Sequence, residues 1–295
     1  MLLVEPMPTR IALACLGSLL LLSSCSRPKP IVVGSKDSVE QSLLAEIVAQ
    51  HLEHRLTTPV ERRFGMGDIR TIHQSILNGE ISMYPEYSGL IVSELLKEPP
   101  SPEANVTFER ARLEMKRLEL LDYIAPLGFN TPTALTIRAA DHEAISTATE
   151  AAASPTRWKV GVSYEFQNRQ SGLPNLNAYR FEMGAPLKSM RYEDLFSALQ
   201  MNTVSMVTAT ASDAHLLSTE WKALQDDQHV FPPAEAALLV RDDALAAEPK
   251  LRQALEELTG KIDLETMRKL NAQVEIEERS IPDVAAEFLK SAGLK

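Results

Sequence analysis

The sequence predicts an α/β protein of two lobes, each a mostly parallel sheet flanked by helices. Three observations lead there. From Ile31 onward, short apolar runs alternate with amphipathic helical patterns, the signature of β–α units. After Trp158 the alternation starts again as a second unit. The chain has 295 residues and is 44% hydrophobic, enough for two α/β cores.

In the first unit, Ile31-Val32-Val33 is a strand that meets Gly34, and Ser38 opens a helix with Leu43, Leu44, Ile47, Val48 and Leu52 on one face. Ser38 and Gln41 have the spacing of a capping box, in which hydroxyl and amide each satisfy an orphan backbone group. A second strand begins at Val60, and Gly65-Met66-Gly67 turns the chain. Asp68 can then cap a helix carrying Ile69, Ile72, Ile76 and Leu77, ended by Asn78-Gly79. Ile81 to Tyr84 is a third strand and Phe108 to Leu121 a charged amphipathic helix. Units of this kind build sheets with parallel strands and helices on both faces.

In the second unit Trp158 to Val162 is a strand, Gly172-Leu173-Pro174 a turn, Tyr192 to Leu199 a helix and Val204 to Thr208 a strand. The Ala-rich stretch from Ile145 to Pro155 reads as a helix with a loop. Ala234 to Val240 gives another strand, followed by helical patterns over Asp243 to Leu258, Leu264 to Ala272 and Ile281 to Leu289.

The first 25 residues differ in kind. Ile11 to Leu22 is apolar or small throughout, preceded by Arg10, and is too short to span a bilayer but fits a secretory signal. It ends in Leu22-Ser23-Ser24-Cys25, which resembles a bacterial lipobox; a plain signal or a membrane anchor is the alternative. Lipid on Cys25 would hold the mature chain to a membrane through the tether Ser26 to Pro30. The other cysteine, Cys15, lies in the removed segment, so the mature fold is expected to contain neither disulfide nor free thiol. The formal charge of −10 and the lack of a basic run argue against a nucleic-acid partner.

Catalytic signatures are missing from the sequence: no phosphate-binding loop, no nucleophile elbow, no HExxH and no paired-cysteine metal site. His51 and His54 stand three apart on a helix but lack a third ligand at useful spacing. No metal and no cofactor is expected. The pattern favours binding over chemistry.

The residues resemble one family, the substrate-binding proteins of glycine betaine, carnitine and choline ABC importers. Gly34-Ser35-Lys36-Asp37-Ser38-Val39-Glu40-Gln41 is similar to its first strand-to-helix motif, and Tyr84-Pro85-Glu86-Tyr87-Ser88-Gly89 to its most specific signature. Gly128-Phe129-Asn130, Glu165-Phe166 with Arg169, Gly172-Leu173-Pro174, Asp226-Asp227 and Phe231-Pro232-Pro233 also match, and similarity continues to Leu294. The resemblance implies a type II periplasmic-binding-protein fold. One lobe would hold 31–130 and 233–295, the other 131–232, with hinge strands near Thr131 to Ala134 and His229 to Pro232. Hinge closure of a monomer on a small solute would then present a closed form to a permease and ATPase.

Under that resemblance the ligand-binding positions are Ser35, Gln41, Asp68, Tyr84, Tyr87, Thr133, Tyr164, Arg169, Thr210 and Glu235. Quaternary ammonium sites use aromatic faces, each contributing about 0.5–2 kcal/mol. Here Thr133, Thr210, Ala234 and Glu235 stand where the family has its cage, and Ser38 stands where Phe is usual. Tyr84 and Tyr87 remain, with Tyr164 and Phe196 as candidate substitutes. Asp68 replaces a glycine at a helix N-terminus and would repel a ligand carboxylate there. The sequence therefore suggests specificity shifted toward a small polar or cationic solute held by hydrogen bonds and by Asp68 or Glu235. Each of these residues also has a structural reading: Asp68 as a cap, the tyrosines as packing, Arg169 as a brace. Two other functions stay open, a regulatory lipoprotein that no longer transports and a secreted enzyme using Glu86 and Asp213.

Overall fold

The computed structural model describes residues 29–295; the apolar leader, Cys25 and most of the tether lie outside the described residues. Two five-stranded sheets organise the chain. The first contains β1 (Ile31–Gly34), β2 (Val60–Arg63), β3 (Met83–Tyr87), β4 (Leu121–Ile124) and β10 (Ala236–Arg241), in the order β2-β1-β3-β10-β4. The second contains β5 (Thr133–Arg138), β6 (Val160–Ser163), β7 (Lys188–Met190), β8 (Met206–Thr210) and β9 (Trp221–Leu224), in the order β7-β6-β8-β5-β9. Among the described residues no helix is long and apolar enough to cross a membrane.

Both sheets are mixed. β1 pairs in parallel with β2 and β3, but β10 runs antiparallel to β3 and β4; β6 is parallel to β7 and β8, but β5 runs antiparallel to β8 and β9. The mostly parallel expectation therefore holds for half of the pairings. The reason is where the chain enters. It crosses from the first sheet to the second through Thr131 and Pro132, and returns through Phe231 to Glu235. Each crossing arrives at the edge where the neighbouring parallel strands end, and has to run back against them. Thr133, the first residue of β5, sits opposite Thr210, the last of β8; Ala236, the first of β10, sits opposite Tyr87, the last of β3. The crossings also touch each other, since Thr131 N donates to the Ala234 carbonyl at 3.0 Å and Asn130 bridges Glu235.

Helix α1 (Val39–Arg55) lays Leu43, Leu44, Ile47, Val48 and Leu52 against β1, β3 and β10, with the C-terminal helices Leu264–Glu275 and Ile281–Ser291 closing the same core. The opposite face of the sheet is covered by α2 (Ile69–Leu77) and the helix Ala104–Glu119, which bury Ile72, Ile76, Ala111 and Met115. Each fully buried Leu or Ile contributes about 1.5–3 kcal/mol. In the second lobe Trp158 is the largest fully buried side chain, and its Nε1 donates to the Ala151 carbonyl at 2.9 Å. Thr147 and Glu150 form a reciprocal capping box on the short helix Ala148–Ala153.

Several elements differ from the sequence reading. Ser38 caps α1 by accepting from Gln41 N at 3.3 Å, but the Gln41 amide does not reach back, so the capping box is half made. The helix expected over Asp243 to Leu258 is two helices, Asp242–Ala247 and Leu251–Glu256. Pro249 interrupts it: proline drives the preceding residue out of the helical region, and Glu248 is extended. Gly172-Leu173-Pro174 opens the helix Leu173–Ala178, with proline in its first turn where no N–H is required. The helix begun near Phe108 stops at Glu119, because Leu120 takes a left-handed conformation (φ 55°) and Leu121 starts β4.

Candidate functional site

The ends of β1, β3, β6 and β8 face the junction between the lobes, the place where open α/β sheets bind ligands. On the first lobe the β1–α1 loop is laced to the turn after β2. Ser35 Oγ lies 3.2 Å from Ser42 Oγ and accepts from Gly65 N at 3.2 Å, while Asp37 Oδ1 accepts from Gly67 N at 2.8 Å. Ser35 is fully buried and serves as this brace. Gly65 (φ 66°) and Gly67 (φ 91°) supply the left-handed conformations of the turn.

Lys36 leaves the same loop and pairs with Glu86 at 2.5 Å; Glu86 is fully buried and the lysine side chain nearly so. The ammonium lies 4.9 Å from the centroid of the Tyr87 ring. Glu86 Oε1 also accepts from Tyr87 N at 2.8 Å. The Tyr87 hydroxyl donates to Glu40, and Asn271 Nδ2 donates to the other oxygen of Glu40 at 2.7 Å. Burial pushes the Glu40 carboxyl up, against the pull of these bonds. Glu235 sits half-buried on the returning crossing and its carboxyl is raised by desolvation; its backbone is fixed by Ser88 and by the Tyr123 hydroxyl.

On the second lobe Thr133 and Thr210 are cross-strand neighbours. The Tyr192 hydroxyl donates to Asp213 at 2.6 Å and accepts from Thr210 N at 3.1 Å. Arg169 lies 5.4 Å from the Phe166 ring and 3.8 Å from Glu165, a distance that gives only a weak ion pair. Tyr164 is exposed at the start of the helix Tyr164–Asn168.

Buried polar atoms are normally paired. Here Gln41 Nε2 and Oε1, Glu86 Oε2, Arg169 Nε, Thr208 Oγ1 and Asn271 Oδ1 are all buried without a partner. These residues come from both lobes and lie on the elements that meet at the junction. This set marks the junction as the candidate site.

The structure separates the residues singled out in the sequence. Gln41, Tyr87, Thr133, Arg169, Thr210 and Glu235 lie on the elements that bound the junction. Tyr84 does not: it is fully buried among Ile72, Ile91 and Tyr123, its hydroxyl 3.2 Å from His73 Nδ1. Odd spacing along β3 sends Tyr84 and Tyr87 to opposite faces. Asp68 caps α2, accepting from Thr71 N at 2.9 Å and Thr71 Oγ1 at 2.8 Å. Phe196 is buried in the second lobe, stacked on His215 at 4.1 Å. His51 is buried, with Nε2 2.8 Å from the Ala254 carbonyl, and cannot chelate with exposed His54; among the described residues no group of three or more His, Cys, Asp or Glu side chains could hold a metal. Glu86 and Asp213 are each engaged by other side chains. The sequence reading missed Lys36, Glu40, Tyr192, Ser212 and Asn271 as site residues. Two of them carried a signal: Glu40 shares the apolar face of Leu43, Leu44 and Ile47, and Asn271 adjoins the buried positions Met267 and Leu270.

Comparison with known proteins agrees with this architecture. A solved structure described as a glycine betaine/carnitine/choline ABC transporter superposes with a TM-score of 0.78 at 21% identity, over 90% of this chain and 99% of that one. The glycine betaine-binding protein YehZ of Escherichia coli (strain K12) is 27% identical over 295 residues, covering 94% of this chain and 96% of that protein. The ergothioneine transport permease/ergothioneine binding protein EgtU of Helicobacter pylori (strain G27) is 32% identical over 271 residues, 90% of this chain. This chain spans about half of that relative's length (48%). Residues 29–291 match the family described as the substrate binding domain of ABC-type glycine betaine transport systems, and the chain belongs to that family of non-enzymatic binding proteins.

Proposed function

We propose that this chain is the solute-binding protein of an ABC importer for small betaine-type zwitterions, working as a monomer held to a membrane by lipid on Cys25. It closes its two lobes on the solute and delivers it unchanged to a permease and ATPase. The observation that carries this reading is the set of buried, unpartnered polar atoms on Gln41, Glu86, Arg169, Thr208 and Asn271 at the lobe junction. In this reading separation of the lobes uncovers these atoms, and a solute captured as the lobes close again becomes their partner.

The residue types favour a zwitterion over a simple cation. Arg169 offers positive charge to a carboxylate through a planar fork suited to it, whereas the charge of Lys36 is matched by Glu86. Tyr87 and the half-buried Glu235 offer a face and a charge to an ammonium group. With threonines at 133 and 210, specificity is altered from that of a closed aromatic cage, each missing face forgoing about 0.5–2 kcal/mol of cation–π attraction. Asp68, occupied as a cap, is not assigned to the ligand in this reading; Glu235 is.

Calorimetry tests it with glycine betaine, carnitine, ergothioneine and choline, the last lacking a carboxylate. At least one zwitterion should bind, with choline about tenfold or more weaker, a difference of about 1.4 kcal/mol. Glu235→Gln should weaken the zwitterion. The reading fails if none of the zwitterions gives heat or raises the melting temperature.

A further inference from the structure

We propose that Glu40 is a positioning residue that ties the orientation of Tyr87 to the placement of the second lobe. The inference rests on the reading that Tyr87 meets the solute, and it adds how that meeting is communicated. Glu40 lies in the first turn of α1, more than nine-tenths buried. One of its carboxylate oxygens accepts from the Tyr87 hydroxyl in the first lobe. The other accepts from Asn271 Nδ2 at 2.7 Å, and that same amide nitrogen donates to the Ser212 carbonyl of the second lobe at 3.0 Å.

Ser212 is a well-defined reporter of lobe position. It is fully buried, its N donates to Thr131 Oγ1 at 3.0 Å, and its Oγ lies 2.7 Å from that hydroxyl, on the outgoing crossing. Its neighbour Ala211 gives its carbonyl to Arg268 Nε of the first lobe at 2.7 Å. The path from Tyr87 through Glu40 and Asn271 to Ser212 is thus continuous, buried and made of hydrogen bonds with defined donors. The alternative acceptor on Asn271, Oδ1, has no partner. Turning the amide over is disfavoured while Glu40 is a carboxylate, because it would set Oδ1 against the Glu40 oxygen and the Ser212 carbonyl, both acceptors.

Glu40→Gln exploits this. The new side-chain oxygen still accepts from Tyr87, but its NH2 group faces the NH2 of Asn271. The asparagine then turns its oxygen to the glutamine and leaves Ser212, so the ring stays held while the link between lobes is lost.

The test is a double-mutant cycle read by calorimetry with glycine betaine. Tyr87→Phe and Asn271→Ala are made singly and together, first with Glu40 present and then in Glu40→Gln. Residues sharing a network are non-additive, whereas independent ones add to within about twofold. The expected result is non-additivity of about fivefold or more with Glu40 and about twofold or less without it. Additive effects in both backgrounds overturn the proposal. A second arm needs no ligand: small-angle scattering of unliganded Glu40→Gln and Asn271→Ala should show a changed radius of gyration, with Tyr87→Phe unchanged. A merely structural Glu40 would lower the melting temperature without moving either reading. If glycine betaine does not bind the unmodified protein, the cycle is read with whichever of carnitine and ergothioneine does; if none of the zwitterions binds, the ligand reading is in error and the scattering arm alone decides, an unchanged radius overturning the proposal. Glu40→Asp serves in the same cycle if the glutamine variant does not fold.

Discussion

Replacing Lys36 with methionine isolates a buried ion pair at the lobe junction. Glu86 has no solvent exposure, and the side chain of Lys36 retains 9%, with 2.5 Å between the charged atoms. Removing the ammonium leaves the carboxylate with the Tyr87 N–H at 2.8 Å, while Oε2 already has no partner. An uncompensated buried charge of this kind costs about 3–5 kcal/mol. Replacing both residues by methionine removes the charge together with its partner, and such swaps leave stability within about 1 kcal/mol or raise it. Urea unfolding followed by circular dichroism measures the difference, provided that the slope with denaturant is shared by all variants and that two probes give coincident transitions. The expected order is Lys36→Met well below both the unmodified protein and the double variant. A cost below about 1 kcal/mol for Lys36→Met, or a double variant no more stable than the single one, would refute the account of this pair as buried and mutually dependent.

Two further expectations concern the scaffold of the site. Asp68→Ala should cost about 1 kcal/mol at neutral pH by removing the cap of α2, and change the affinity for glycine betaine by no more than about twofold. The Thr71 N–H holds the Asp68 carboxyl below its ordinary value. Its stabilisation is therefore complete above the unfolded value of about 3.9 and is lost as pH falls through the lower folded value, so melting curves of the variant and unmodified protein should converge in acid. Gly89→Ala would place a methyl carbon 2.2 Å from the Pro233 carbonyl oxygen and 2.9 Å from Pro232 Cβ. The returning crossing has to shift, so a loss of about 1–3 kcal/mol is expected together with a changed radius of gyration; a variant with unaltered stability and scattering would contradict this packing.

The fold class was legible because the strands that carry it are flanked by strong helical patterns. α1 repeats its apolar residues at helical spacing, and β10 is an unbroken apolar run, as a strand covered on both faces requires. Three strands that escaped notice, β4, β7 and β9, are at sheet edges, short and only partly buried, so LDYI, KSM and WKAL carry little pattern, while the interior strand β5 was expected only as a hinge strand near Thr131 to Ala134 and runs on to Arg138. Strand direction was hidden for a different reason: it depends on where the chain enters a lobe, which local sequence does not encode. Of the residues expected at the site, Thr133, Thr210, Tyr87 and Glu235 lie on elements that bound the junction, positions legible as the ends of strands and of the crossings between sheets. Tyr84 could have been set aside on spacing alone. Lys36, Glu40 and Asn271 acquire their meaning only through partners 50, 47 and 231 positions away.

The placement of β10 has a consequence for biosynthesis. Until residues 236–241 emerge, β4 has no neighbour to pair with and the first sheet ends at β3, whereas all five strands of the second sheet have already been made. Chains leave the ribosome, and an exported chain crosses the membrane, from the N-terminus, and units assemble as their parts become available. The lobe encoded in the middle is therefore the first able to complete itself, and the one that begins the protein waits for its own last third.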